Sequence, residues 1–123
     1  MLIFLKRTVL IVATVVMALA LAGCGQSTKA TAAQLQQSYA KATDPVREEV
    51  TQATAALQAG NYSQAISTLN RVAQAQPVDA AQKEAVGAVI QQTRKAVHDN
   101  PKLNTPELYK AMSQLITTVH GEN

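Results

Sequence analysis

Beyond residue 25 the chain carries an almost unbroken helical signal, and this restricts its fold more than any other feature. Apolar residues recur at steps of three and four, from Ala32, Leu35 and Tyr39 to Leu115, Ile116 and Val119. That spacing lays side chains along one face of an α-helix. Glycine interrupts the region only at Gly60, Gly87 and Gly121, while eighteen Ala and thirteen Gln fill much of the rest from Cys24 onward. Ala is the best helix former and Gln a good one. The pattern predicts an all-α fold of four to five helices and leaves little room for a sheet.

The breaks in the signal place the helices. Ala32, Leu35, Tyr39 and Ala42 predict a first helix over Ala30–Ala42. Thr43-Asp44-Pro45 then forces a break, because the residue before a proline resists the α region. Asp44 offers a cap and Pro45 suits a first turn. The stripe resumes in phase through Val46, Val50, Ala53 and Leu57, so the second helix, Pro45–Ala59, is expected roughly collinear with the first. Gly60 ends it, and Tyr62, Ala65, Ile66, Leu69, Val72 and Ala73 form the third helix. So short a link predicts an antiparallel hairpin. Asp79 with Gln82 fits a capping box ahead of a fourth helix burying Val86, Val89, Ile90 and Val97, which Asn100-Pro101 stops. Thr105, Pro106 and Glu107 open a fifth, whose face is Leu108, Met112, Leu115, Ile116 and Val119, and Gly121 closes it. From Cys24 onward there are six Leu, three Ile, eight Val and no Phe. So thin an apolar set predicts a monomeric domain of modest stability.

The N-terminal segment has a different grammar. Lys6 and Arg7 precede thirteen residues, Thr8–Ala20, with no charge, Pro or Gly. Small residues and the single cysteine follow. A basic region, a short apolar run and a small-residue exit make a secretory signal peptide, and the run is short of the roughly 20 residues a membrane-spanning helix needs. Leu21-Ala22-Gly23-Cys24 resembles the lipobox of bacterial lipoproteins at all four positions. The resemblance implies cleavage before Cys24 and a diacylglyceryl group on its sulfur. It divides the chain into a signal peptide (1–23), a polar tether (24–30) and a helical domain (31–123). It places the domain at the cell membrane, lipid-anchored and facing periplasm or exterior. Gln26 stands where enteric lipoproteins retained at the inner membrane carry Asp. By resemblance this favours the outer membrane of a two-membrane cell.

The hairpin has a likeness of its own. Gly60, Asn61, Tyr62, Ala65, Ile66 and Pro77 resemble the turn and second helix of a tetratricopeptide repeat, with Ala53 and Ala56 as the small residues of the first helix. The likeness covers about Val46–Pro77. Glu49 departs from it, and no second copy follows: Arg94 and Ala96 stand where the next Gly and Tyr would fall. Repeats of this kind need about three copies to bury a continuous core. A single copy implies the hairpin geometry more than a peptide-binding superhelix. If the partner face resembles the family's, Arg47, Thr51, Thr54 and Gln58 are the contacts it implies.

Charge and chemistry narrow the function. Once Lys6 and Arg7 are set aside with the signal, nine basic and eight acidic side chains remain, scattered along the chain. That is no footprint for nucleic acid. Catalysis needs nucleophile, base and stabiliser within reach of one another. Here His98 and His120 stand at helix ends without metal-ligand spacing, and Glu48 and Glu49 point about 100° apart on a helix. Asn61-Tyr62-Ser63 matches a glycosylation acceptor, a short and common pattern. Tyr39, Tyr62 and Tyr109 lie on or beside apolar stripes and are expected in the core. The reading is of a lipoprotein that is not an enzyme and uses no cofactor or metal beyond the acyl lipid on Cys24. It acts as a helical protein–protein interaction module with an envelope partner. The alternative is a structural envelope lipoprotein without a specific ligand.

Overall fold

The computed structural model describes residues 26–121, with side chains from 28. They form five α-helices: α1 Gln26–Ser38, α2 Asp44–Gln58, α3 Tyr62–Ala75, α4 Ala80–Asp99 and α5 Pro106–His120, with a 3-10 turn Pro101–Leu103 before α5. No strand occurs among the described residues. The helical bundle expected from the periodicity is what the chain forms.

Its ends are set by local chemistry. The α2–α3 turn is closed by Gly60 at φ +81°, a left-handed conformation that a side chain would strain. The Asn61 amide N–H reaches back to the Ala56 carbonyl at 2.8 Å, and the Asn61 side chain accepts from the Gln64 amide. At the start of α4 the Asp79 carboxylate accepts from the Gln82 N–H at 2.8 Å, while the Gln82 side chain accepts from the Asp79 N–H at 3.0 Å. The reciprocal pair satisfies two otherwise orphaned donors. Thr105 caps α5, and Gly121 ends it at φ +60°. At α2 the expected cap shifts by one residue. Thr43 occupies the cap position in extended conformation, and Asp44 is the first helical residue, its carboxylate paired with Arg47 instead.

Two expectations about the first helix are overturned. The polar tether is largely helical: α1 begins at Gln26, and Gln92 of α4 donates a hydrogen bond to the Thr28 hydroxyl. Polar composition hid this start, because the stabilising partner lies 64 residues away. Nor is α1 collinear with α2. The chain turns over at 39–43, and α1 packs back along α2, where Gln36 donates to the Thr54 hydroxyl at 3.2 Å. A stripe that continues in phase is equally served by folding back, since two short helices then bury their apolar faces on each other.

Packing does not follow chain order at the C-terminal end. The α2–α3 hairpin is the tightest pairing, and α3 packs next on α5. Helix α4 touches its neighbours α3 and α5 only sparsely and lies instead along α1. There Gln82 donates to the Ser38 carbonyl at 3.2 Å at one end and Gln92 bonds Thr28 at the other, so the two helices run antiparallel. The shared core comprises Leu35, Tyr39, Leu57, Ile66, Leu69 and Leu115, each at most 1% exposed, with valines and alanines between them. Thr93 is fully buried in it, its hydroxyl donating to the Val89 carbonyl.

Candidate functional site

The residues implied as partner contacts share α2 but not one environment. Arg47, Thr51 and Gln58 are exposed. Arg47 is ion-paired with Asp44, and the Thr51 hydroxyl donates to the Arg47 carbonyl at 2.9 Å. Thr54 is 3% exposed, covered by α1. Its hydroxyl donates to the Thr51 carbonyl at 2.8 Å and accepts from Gln36. It belongs to the α1–α2 interface, so the contact implied for it is corrected: this threonine is not presented on the surface. Arg47, Thr51 and Gln58 form an exposed strip on α2. The only sequence signal for the burial of Thr54 was the apolar face of α1, which required knowing that α1 folds back.

A second surface lies where α4 meets α5. Helix α4 packs along α1 and touches α5 only sparsely, and a groove of about 330 Å³ lies between α4 and α5. Val97, Met112 and Ile116 line it, with Arg94, Asn104 and Tyr109 at its edges. The three aliphatic residues are half-buried, whereas Tyr109 is 70% exposed, the largest exposed apolar side chain among the described residues. The core placement expected of Tyr109 is therefore wrong. That of Tyr39 holds at 1% exposed, and Tyr62 is half-buried. Periodicity identified Val97, Met112 and Ile116 as apolar positions, but not that they stop short of full burial.

The titratable groups are dispersed. His98 lies in the last turn of α4 and His120 is the last residue of α5. Among the described residues no group of three His, Cys, Asp or Glu could hold a metal ion. Burial raises the pKa of the Tyr39 hydroxyl to about 12, with a smaller contribution from the Asp79 carboxylate. Asn70, itself buried, bridges α3 to α5 by donating to Gln114 at 3.1 Å.

The expected signal peptide, lipobox and lipidation at Cys24 fall outside the described residues. No helix among those described is long and apolar enough to cross a membrane. Comparison with protein-family models, with curated proteins and with solved structures gives no match. The class that the chain's own features define is a small all-α bundle, with an exposed strip on α2 and an apolar groove between α4 and α5.

Proposed function

We propose that this protein is a lipid-anchored lipoprotein of the bacterial cell envelope whose helical bundle serves as a small protein–protein interaction module. One observation carries the reading. A basic segment, an uncharged apolar run and Leu21-Ala22-Gly23-Cys24 stand directly before a compact helical domain. The acyl lipid on Cys24 is the anchor, and the membrane is the address. The partner strip is the exposed face of α2, with Arg47, Thr51 and Gln58, on a hairpin that resembles a single tetratricopeptide repeat. Tethering raises the effective concentration of a weak binder near its partner. A thin domain with modest contacts can therefore act at the envelope.

Substitution of the anchor tests the reading. Cys24→Ser in the full chain is expected to move the protein out of the membrane fraction, and globomycin is expected to accumulate a larger precursor of the unsubstituted protein. An unchanged band and unchanged fractionation would sink the anchor. Crosslinking in intact cells tests the module. A single discrete adduct that disappears with Arg47→Glu supports it, and a diffuse smear supports a structural lipoprotein without a specific ligand.

A further inference from the structure

Charge is distributed unevenly along the bundle. One end gathers the start of α1, the α2–α3 turn, the last turns of α4, the 3-10 turn and the start of α5. Lys29, Arg94, Lys95, Lys102 and Lys110 lie there, all exposed, against only Asp99 and Glu107. At the opposite end Lys41, Arg47, Arg71 and Lys83 face Asp44, Glu48, Glu49, Asp79 and Glu84. Both acid–base pairs between side chains of permanent charge, Arg47–Asp44 and Arg71–Glu49, belong to this second end. Among the described residues none of the five cations at the first end is in an ion pair. The exposed Tyr109 ring sits among them, beside Lys110.

The register of α1 against α4 fixes the height of this end. Thr28 bonds Gln92, and α4 continues for seven more residues to Asp99, about 10 Å of helix. From Gln26, the first residue of α1, Cys24 is only two residues away, a reach of at most about 7 Å. The last turn of α4 therefore extends past the first residue of α1. A bilayer that holds acyl chains on Cys24, two residues from the start of α1, lies within reach of that tip.

We infer that the basic, Tyr109-bearing end of the bundle docks on a bilayer rich in anionic phospholipid, so that the domain stands on the membrane in a fixed orientation. The inference rests on the lipid anchor proposed above. The cations face phosphate headgroups, where an anionic surface attracts Lys and Arg within a screening length. Tyr109 takes the interfacial position favoured by a ring with a polar tip. The α2 strip then runs away from the membrane, open to a partner from the side.

The chain contains no tryptophan, so Tyr109→Trp introduces a single reporter. The acylated protein, purified from membranes, is reconstituted into vesicles of phosphatidylglycerol and phosphatidylcholine and, separately, of phosphatidylcholine alone, each with brominated acyl chains. In the anionic vesicles the reporter is expected to shift to the blue and to be quenched several-fold more than in the neutral ones. The difference should collapse in about 1 M salt, where the screening length falls to about 3 Å. Lys95→Glu/Lys102→Glu/Lys110→Glu should abolish the quench, and Lys41→Glu/Lys83→Glu at the other end should leave it intact. All these side chains are exposed, and circular dichroism verifies the fold of each variant. Equal quenching in both vesicle types, or none in either, would overturn the docking while leaving the anchor standing. An intact mass without acyl chains would overturn the anchor and the docking with it.

Discussion

The two helical pairs on either side of Pro77 share the same kind of sequence and pack differently. In α2–α3, Ala53, Ala56, Ala65 and Ala73 let the helices approach closely. Leu57, Ile66, Leu69 and Val72 are then sealed to 1% exposure or less. In α4–α5 the link is also short and the stripes are as regular. Yet Val97, Met112 and Ile116 remain half-buried, and Tyr109 stands in solvent. The difference lies in what competes for each helix. Helix α2 is held by α1 and α3 together, whereas α4 gives its apolar face to α1 and α5 gives its face to α3. A short connection makes two helices available to each other; the best-matched face decides whether they pair.

The largest expected effect breaks the tighter pair. Leu69→Ala removes a buried side chain from α3 where the alanine-lined hairpin has little slack to collapse. It should cost about 2–5 kcal/mol, enough to unfold much of a thin-cored domain as followed by circular dichroism. Met112→Ala in the groove should cost far less in the same experiment. An equal loss at both positions would mean that the groove is as tightly packed as the hairpin.

Alkaline pH probes the seam between α1 and α4. The Tyr39 hydroxyl has a folded pKa of about 12, raised above its ordinary 10.0 by burial and then by Asp79. The folded state therefore holds the proton more tightly than the unfolded one. Its contribution is complete below about pH 10 and is lost as pH rises toward 12, up to about 2–3 kcal/mol for two pKa units. Urea titrations across this window should show the midpoint falling. Tyr39→Phe should flatten that fall, and a variant that titrates like the parent would assign the transition to another group.

At the turn, Gly60→Ala places a Cβ on a residue at φ +81°. Nothing lies within 4 Å of that Cβ, so the strain is in the backbone alone. A loss of about 1–2 kcal/mol is expected from the left-handed conformation. The same substitution at Gly87, inside α4 and equally unobstructed, should instead stabilise by roughly 0.5–1 kcal/mol. Thermal melts of the two variants should move in opposite directions. The smallest effect belongs to the groove edge: Tyr109→Ser should change stability by no more than about 0.5 kcal/mol. A larger loss would show that the ring supports the α4–α5 contact.

Much of this architecture was legible residue by residue. The capping box at Asp79, the cap at Thr105, the glycines at positions 60 and 121 and the core faces of α3 and α4 all depend on neighbours within one or two helical turns. A sequence carries such information directly. The start of α1 was misread because its stabilising contact comes from Gln92. The burial of Thr54 is not legible in the sequence, because the helix that covers it is the one whose direction periodicity leaves open. The strip of α2 was readable as a face, but not which of its members α1 takes away.

By itself the sequence determined the all-α class, a count of four to five helices, the approximate limits of α2 to α5 and most of the faces they bury, because these follow from spacing, helix propensity and capping within a short window. Only the tertiary structure decided that α1 folds back on α2, that α4 lies along α1 rather than α5, and hence that a groove opens beside Tyr109 and the unpaired cations gather at one end. Helical periodicity states which side of a helix avoids water; it carries no term for which other helix supplies the cover. That choice is made by the fit of whole faces, in competition across the entire chain.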